Sequence, residues 1–137
     1  MTAHRLTILH YPPQQRWRSV EIPSPGWEDV SAAIRNMDDN EYPIVELSWA
    51  DLEEGDVDEE SFHIIGGAAS GFAMSNFSGD WQFEYSNGSD EEVRLWQSDQ
   101  GYFCKRKNVI ADVDVVLKIA RVYFDTGSYD EVRRACF

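Results

Sequence analysis

Little in this sequence could staple a fold together from outside its own core. Only two cysteines occur among 137 residues, Cys104 and Cys136. They lie far apart in no Cys-x-x-Cys or Cys/His spacing, which removes a zinc cluster and a dense disulfide framework as organising devices. We read two reduced thiols, with a single disulfide between them as the alternative. The three histidines, His4, His10 and His63, are scattered and spell no triad. No apolar run approaches the ~18 residues of a membrane span, and the short one near the N-terminus is below the length of a signal-peptide core. A cytoplasmic location is the expectation.

Basic residues are scarce as well. Lysine and arginine total 12 against 25 aspartates and glutamates, a net charge of −13, and the sequence pI is about 4.4. Affinity for bare nucleic acid comes largely from cations that neutralise phosphates, so direct nucleic-acid binding is excluded as the main activity, and an anionic membrane surface with it. The deficit is lopsided: residues 1–68 hold 4 bases and 14 acids, residues 69–137 hold 8 and 11.

What the chain does have is a block of acid. Seven of the ten residues 51–60 are acidic: Asp51, Glu53, Glu54, Asp56, Asp58, Glu59 and Glu60. Like charges at this density repel one another and resist burial, so the segment belongs on a solvated loop whose use is to meet something basic. A calcium reading fails on register. An EF-hand loop needs glycine sixth and oxygen ligands first, third and fifth, and taking Gly55 as sixth puts Ala50 first. No metal or cofactor is expected.

The length suits one domain, here taken as 1–137. Residues 5–11 and 17–22 alternate apolar and polar side chains around Pro12-Pro13 and read as two strands joined by a turn. Ser24-Pro25 supplies an N-cap and a first-turn proline for a helix in which Trp27, Val30, Ile34 and Met37 recur, ending near Asp38. Strands are expected at 44–49, 61–65, 72–77, 81–85, 92–97 and 102–105, with a hairpin turn at Asn87-Gly88. Asp112 caps a final helix, apolar on most sides, that stops at Gly127. The result is an α+β domain: an antiparallel meander of about five to seven strands with two main helices packed on it.

Chemistry has few candidates. The cluster Gly66, Gly67, Gly71 around Ser70 lacks both the following helix of a phosphate loop and the glycine spacing of a nucleophile elbow, and reads as a sheet corner. Lys105-Arg106-Lys107 reads as a solvated turn, with pairing to the acidic block or contact with a nucleic acid as the alternatives. No catalytic residue is nominated. Of the 5 tryptophans most are assigned to the core. Trp49, which borders the acidic block, and Trp96, which breaks the polar face of its strand, are the candidate interface anchors.

In the order of its elements the chain resembles the immunity protein 1 family of bacterial polymorphic toxin systems. The resemblance runs from the Trp27–Met37 helix through Ile64-Ile65-Gly66-Gly67, Trp81-Gln82 and Asn87-Gly88 to the helix over 113–127. Where members of that family often carry a tryptophan shortly after the last helix, this chain has only Tyr129 and Phe137. The resemblance implies a stoichiometric inhibitor whose toxin is often a nuclease or nucleic-acid deaminase. Charge agrees independently, because a toxin that grips nucleic acid presents a basic groove that an acidic protein can approach and occupy. The partner expected is thus a cognate toxin with a basic surface, met through Trp49, Asp51, Glu53, Glu54, Asp56, Asp58, Glu59, Glu60 and Trp96. Two alternatives stand beside this: an acidic regulatory or nucleic-acid-mimic module with a host protein as partner, and a small hydrolase using paired carboxylates.

Overall fold

A computed structural model describes residues 2–51, 58–98 and 100–136. Seven strands appear among them: β1 (Arg5–His10), β2 (Arg18–Pro23), β3 (Ile44–Ser48), β4 (Phe62–Gly67), β5 (Gly71–Asn76), β6 (Glu92–Leu95) and β7 (Tyr102–Lys105). Helix α1 (Trp27–Arg35) lies between β2 and β3, and α2 (Val113–Thr126) and α3 (Tyr129–Ala135) close the chain. The fold is α+β. Five strands form one fully antiparallel sheet in the order β2-β1-β3-β4-β5, and β6-β7 is a separate hairpin.

Period-two patterning divides this sheet into two faces with different fates. On one, Leu6 pairs with Leu47 and Leu47 with Phe62, while Val45 pairs with Ile64 and Ile64 with Met74. These side chains are buried against Val30 and Ile34 of α1 and Val116, Ile119, Ala120, Tyr123 and Phe124 of α2. Each contributes about 1.5–3 kcal/mol through burial of its apolar surface. On the opposite face the rows alternate in character. Leu9, Ile44, Ile65 and Ala73 lie side by side across four strands, and Ile44, Ile65 and Ala73 are covered by Leu95 and Cys104 of the β6-β7 hairpin. The next row, Glu21, Thr7, Glu46, His63 and Ser75, is polar.

Helix α2 follows its sequence signals closely. Asp112 accepts a hydrogen bond from the Asp114 amide, and Gly127 ends the helix in the left-handed region at φ 63°, the conformation that glycine adopts at least cost. Helix α1 starts later than expected. The Ser24 amide is spent on the His4 carbonyl at 2.8 Å, extending the sheet, so Gly26 becomes the cap and its N–H donates to Asp29 Oδ2 at 2.9 Å. The helix ends at Arg35 rather than near Asp38.

Residues 81–85 do not form the expected strand. Their alternation is real, with Trp81 and Phe83 buried and Gln82 and Glu84 exposed. Only one bridge forms, however, between Gln82 and Ser75 on the edge of β5. The chain then leaves the sheet, because the Tyr85 amide donates to the Lys107 carbonyl at 2.7 Å. Gly88 N–H closes a turn onto the Tyr85 carbonyl, but β6 pairs with β7 instead of returning along 81–85. Helix α3 was not expected. Its signal was present in Ser128 and Glu131, three residues apart, and the Ser128 hydroxyl accepts from the Glu131 amide. Among the described residues no helix is long and apolar enough to cross a membrane.

Candidate functional site

Of the acidic block, Glu53, Glu54 and Asp56 lie outside the described residues. Asp51, Glu59 and Glu60 are exposed, and Asp58 is half-buried. Asp58 is occupied internally: its Oδ2 accepts from the Ser48 hydroxyl at 2.7 Å and its Oδ1 from the Glu60 amide at 3.0 Å. The Ser48 hydroxyl oxygen in turn accepts from the Ala50 amide. Asp58 thereby ties the far end of the acidic segment to the end of β3.

The tie continues into the helices. The Glu60 carbonyl accepts from the hydroxyls of Tyr123 at 3.1 Å and Tyr129 at 2.8 Å. Burial raises both phenols above their ordinary range, so each remains a donor at physiological pH. Trp49 secures the near end. Its indole N–H donates to the Tyr123 carbonyl at 2.8 Å, and its ring lies where a β-carbon on Gly127 would otherwise be, within 2.7–2.9 Å. Trp49 therefore anchors the block to α2 by an inward hydrogen bond. Its half-buried ring leaves part of its surface at the rim.

Trp96 sits elsewhere, after β6, in the left-handed region at φ 62°. Its amide donates to Asp39 Oδ1 at 2.6 Å. Asp39, only 1% exposed, also accepts from the Ser70 hydroxyl at 2.6 Å and the Gln97 side-chain amide at 3.3 Å. This buried carboxylate joins the α1–β3 connection, the β4–β5 turn and the end of β6. Nothing in the local pattern Asp38-Asp39-Asn40 distinguished it from a solvated loop. The Trp96 ring packs edge-on to Tyr11, with centroids 5.4 Å apart. Most tryptophans were expected in the core: Trp81 is buried within it, Trp27 and Trp49 pack against it, and Trp96 packs against the smaller cluster under the β6-β7 hairpin. Trp27, Trp49 and Trp96 are half-buried, and Trp17 is 51% exposed.

The structure assembles a cluster that composition concealed. On the polar row of the sheet, Arg5, Thr7, Glu46, Ser48, Asp58, Ser61, His63 and Phe77 line a cavity of about 120 Å³. Burial pushes the Glu46 carboxyl up, with Arg5 opposing and Glu21 adding to the rise. Burial also pushes His63 down to about 4, against the pull of Asp58, so the imidazole is neutral at pH 7. His63 Nε2 lies 3.2 Å from Glu46 Oε1 and 2.9 Å from Ser61 Oγ. A nucleophilic relay needs the hydroxyl and the carboxylate on opposite ring nitrogens, whereas here both meet the same one. The arrangement holds a proton and orders the sheet face; it does not set up a serine for attack.

Charge is distributed unevenly around this face. Among the described residues, Lys105, Arg106 and Lys107 pair with acids outside the 51–60 block: Lys107 Nζ is 2.8 Å from Asp90 and 3.3 Å from Glu84, Arg106 is 3.1 Å from Glu91, and Lys105 is 3.6 Å from Asp90. On α2, Arg121 pairs with Asp125, and on α3 Arg133 and Arg134 pair with Asp130 and Glu131. Arg5 and Arg35 lie beside Glu21 and Asp114. Among the described residues, no base pairs with Asp51, Asp58, Glu59 or Glu60. Comparisons with family models, with curated proteins and with solved structures found no match to this chain.

Proposed function

We propose that this protein is a stoichiometric binder that neutralises a basic protein, in the manner of an immunity protein acting on a toxin that targets nucleic acid. The observation that carries the reading is the contrast just described: eight of the chain's bases lie beside acids elsewhere in the chain, while Asp51, Glu59 and Glu60 stand exposed with no cation among the described residues. The chain on either side of these acids is held by Trp49, Asp58 and the two tyrosines, which positions Asp51, Glu59 and Glu60 on the surface before a partner arrives. Displayed acid steers a basic partner at long range and occupies a surface otherwise meant for phosphates.

Co-expression with the toxin domain encoded immediately upstream tests the reading, with cell survival and co-purification as readouts. An upstream gene without a toxin domain, or a toxin that neither co-purifies nor is tolerated, would sink it. Replacing Asp51, Glu59 and Glu60 by their amides is expected to slow association by about tenfold at low salt and to leave the rate nearly unchanged at ~1 M salt, where charges are screened. Asp58 is left intact in this variant because its carboxylate holds the loop.

A further inference from the structure

Strand β2 is an outer strand of the sheet, paired on one side with β1 only. The parity of its hydrogen bonds follows from two amides. Ser24 N–H reaches the His4 carbonyl on the β1-β2 side, and Tyr11 N–H reaches the Glu41 carbonyl on the β1-β3 side. In an antiparallel register that pairs Leu6 with Ile22 and Ile8 with Val20, the backbones of Arg18, Val20 and Ile22 are therefore spent on β1. Those of Ser19 and Glu21 point outward, and among the described residues no strand takes them up. Pro23, the next outward position, has no N–H to offer, so the open stretch has a defined end.

The two faces beside this edge differ. Toward the helices, Val20 is 48% exposed, and an open groove of about 490 Å³ is floored by Ile8, Ile22, Ala32 and Ala33, with Glu28 and Asp29 at its rim. On the other face the outward segment carries Glu21, whose side chain is 40% exposed and only loosely paired with Arg5 at 3.9 Å, beside the row that holds Glu46. Resting on the reading that the partner is basic, we propose that β2 receives an extended segment of the partner as an additional strand. Its apolar side chains would enter the α1-side groove, and its lysines or arginines would face Glu21. Main-chain bonds at Ser19 and Glu21 would supply affinity and the alternating side chains specificity. A second copy of this chain is a poor occupant, because two molecules of net charge −13 repel.

The test uses a blocked peptide alternating valine and lysine, matched in length to the six residues of β2, titrated into the whole protein by NMR. The expected result is saturable binding with amide exchange at Ser19 and Glu21 slowed by about tenfold or more. Ser19→Pro removes an outward N–H without touching the bonds to β1, and is expected to keep the fold while weakening the peptide by about tenfold. Val20→Pro, which breaks a bond to β1, is the destabilised control. The proposal is overturned by absence of binding, by binding that leaves those amides unprotected or is indifferent to Ser19→Pro, or by equal binding of a valine–glutamate peptide. Protection that rises with protein concentration alone would assign the edge to self-association and overturn it too. Each of these outcomes leaves the co-expression result untouched, so failure here is distinct from failure of the toxin-binding reading.

Discussion

Replacing Gly127 by alanine tests how the acidic loop is anchored. Gly127 caps α2 at φ 63°, with its N–H on the Tyr123 carbonyl at 2.8 Å. An added methyl would stand 2.7–2.9 Å from three atoms of the Trp49 ring, closer than such atoms pack. The left-handed backbone alone costs an alanine about 1 kcal/mol. Moving Trp49 aside forfeits its hydrogen bond to Tyr123, about 1 kcal/mol, and disturbs a packed ring for about 1–2 kcal/mol more. The total expected is about 3–4 kcal/mol, a large share of an ordinary domain's stability. Gly79→Ala is the internal control. Gly79 has a similar φ of 84° with nothing within 4 Å of an added β-carbon, so it bears the backbone cost only. Urea unfolding of both variants, with the slope checked for constancy, measures the difference. Costs that agree within about 0.5 kcal/mol would refute the claim that Trp49 is locked against α2.

Acid unfolding carries the signature of His63. Its folded pKa of about 4 lies below the ordinary 6.5, so the unfolded chain binds the proton first and stability falls as pH drops from about 6.5 to 4. The upper bound is about 3 kcal/mol. Glu46, raised in the fold, works in the opposite sense, because its buried charge costs stability at neutral pH and that cost is relieved as it protonates. His63→Gln should flatten the acid-side loss in urea titrations at pH 7 and 4.5; an unchanged slope with pH would remove His63 as the cause. Tyr123→Phe and Tyr129→Phe each delete a donor to the Glu60 carbonyl and should cost about 1 kcal/mol singly. Because either tyrosine can satisfy that carbonyl alone, the double variant should cost more than the two single losses added together, and strict additivity would count against a shared acceptor. Asp39→Ala strands the Trp96 amide and the Ser70 hydroxyl, while Gln97 keeps its bond to the Arg94 carbonyl, and should cost about 3 kcal/mol, read by thermal unfolding; a loss below about 1 kcal/mol would mean that water replaces the carboxylate.

How much of this was legible in the residues varies with distance along the chain. Features set by near neighbours were readable: the caps of α2 at Asp112 and Gly127, the β1-β2 turn, and the existence of strands β3, β4 and β5. Residues 81–85 mislead for a physical reason. Trp81 and Phe83 alternate with polar residues because one side is buried, but a ladder also needs a partner strand in register, and Lys107 draws Tyr85 away from β5. The tryptophans were legible as core-associated, Trp17 excepted, but composition states how much aromatic surface must be sheltered without saying how deeply each ring sits. Asp39 looked like one acid among three polar residues, and its role emerges only when Ser70, Trp96 and Gln97 converge on it.

The sequence by itself determined the α+β class, the concentration of negative charge in residues 51–60 and the poor fit to bare nucleic acid, because these depend on composition and on patterns of period two and near four. The tertiary structure alone decided which acids are free and which are structural. Asp58 is spent on Ser48 and Glu60, and Lys105, Arg106 and Lys107 are consumed by Glu84, Asp90 and Glu91. It also decided that β2 presents an open edge and that one sheet face is covered only in part. Those outcomes are set by pairing between distant segments, and a charge has no partner until the chain has folded one beside it.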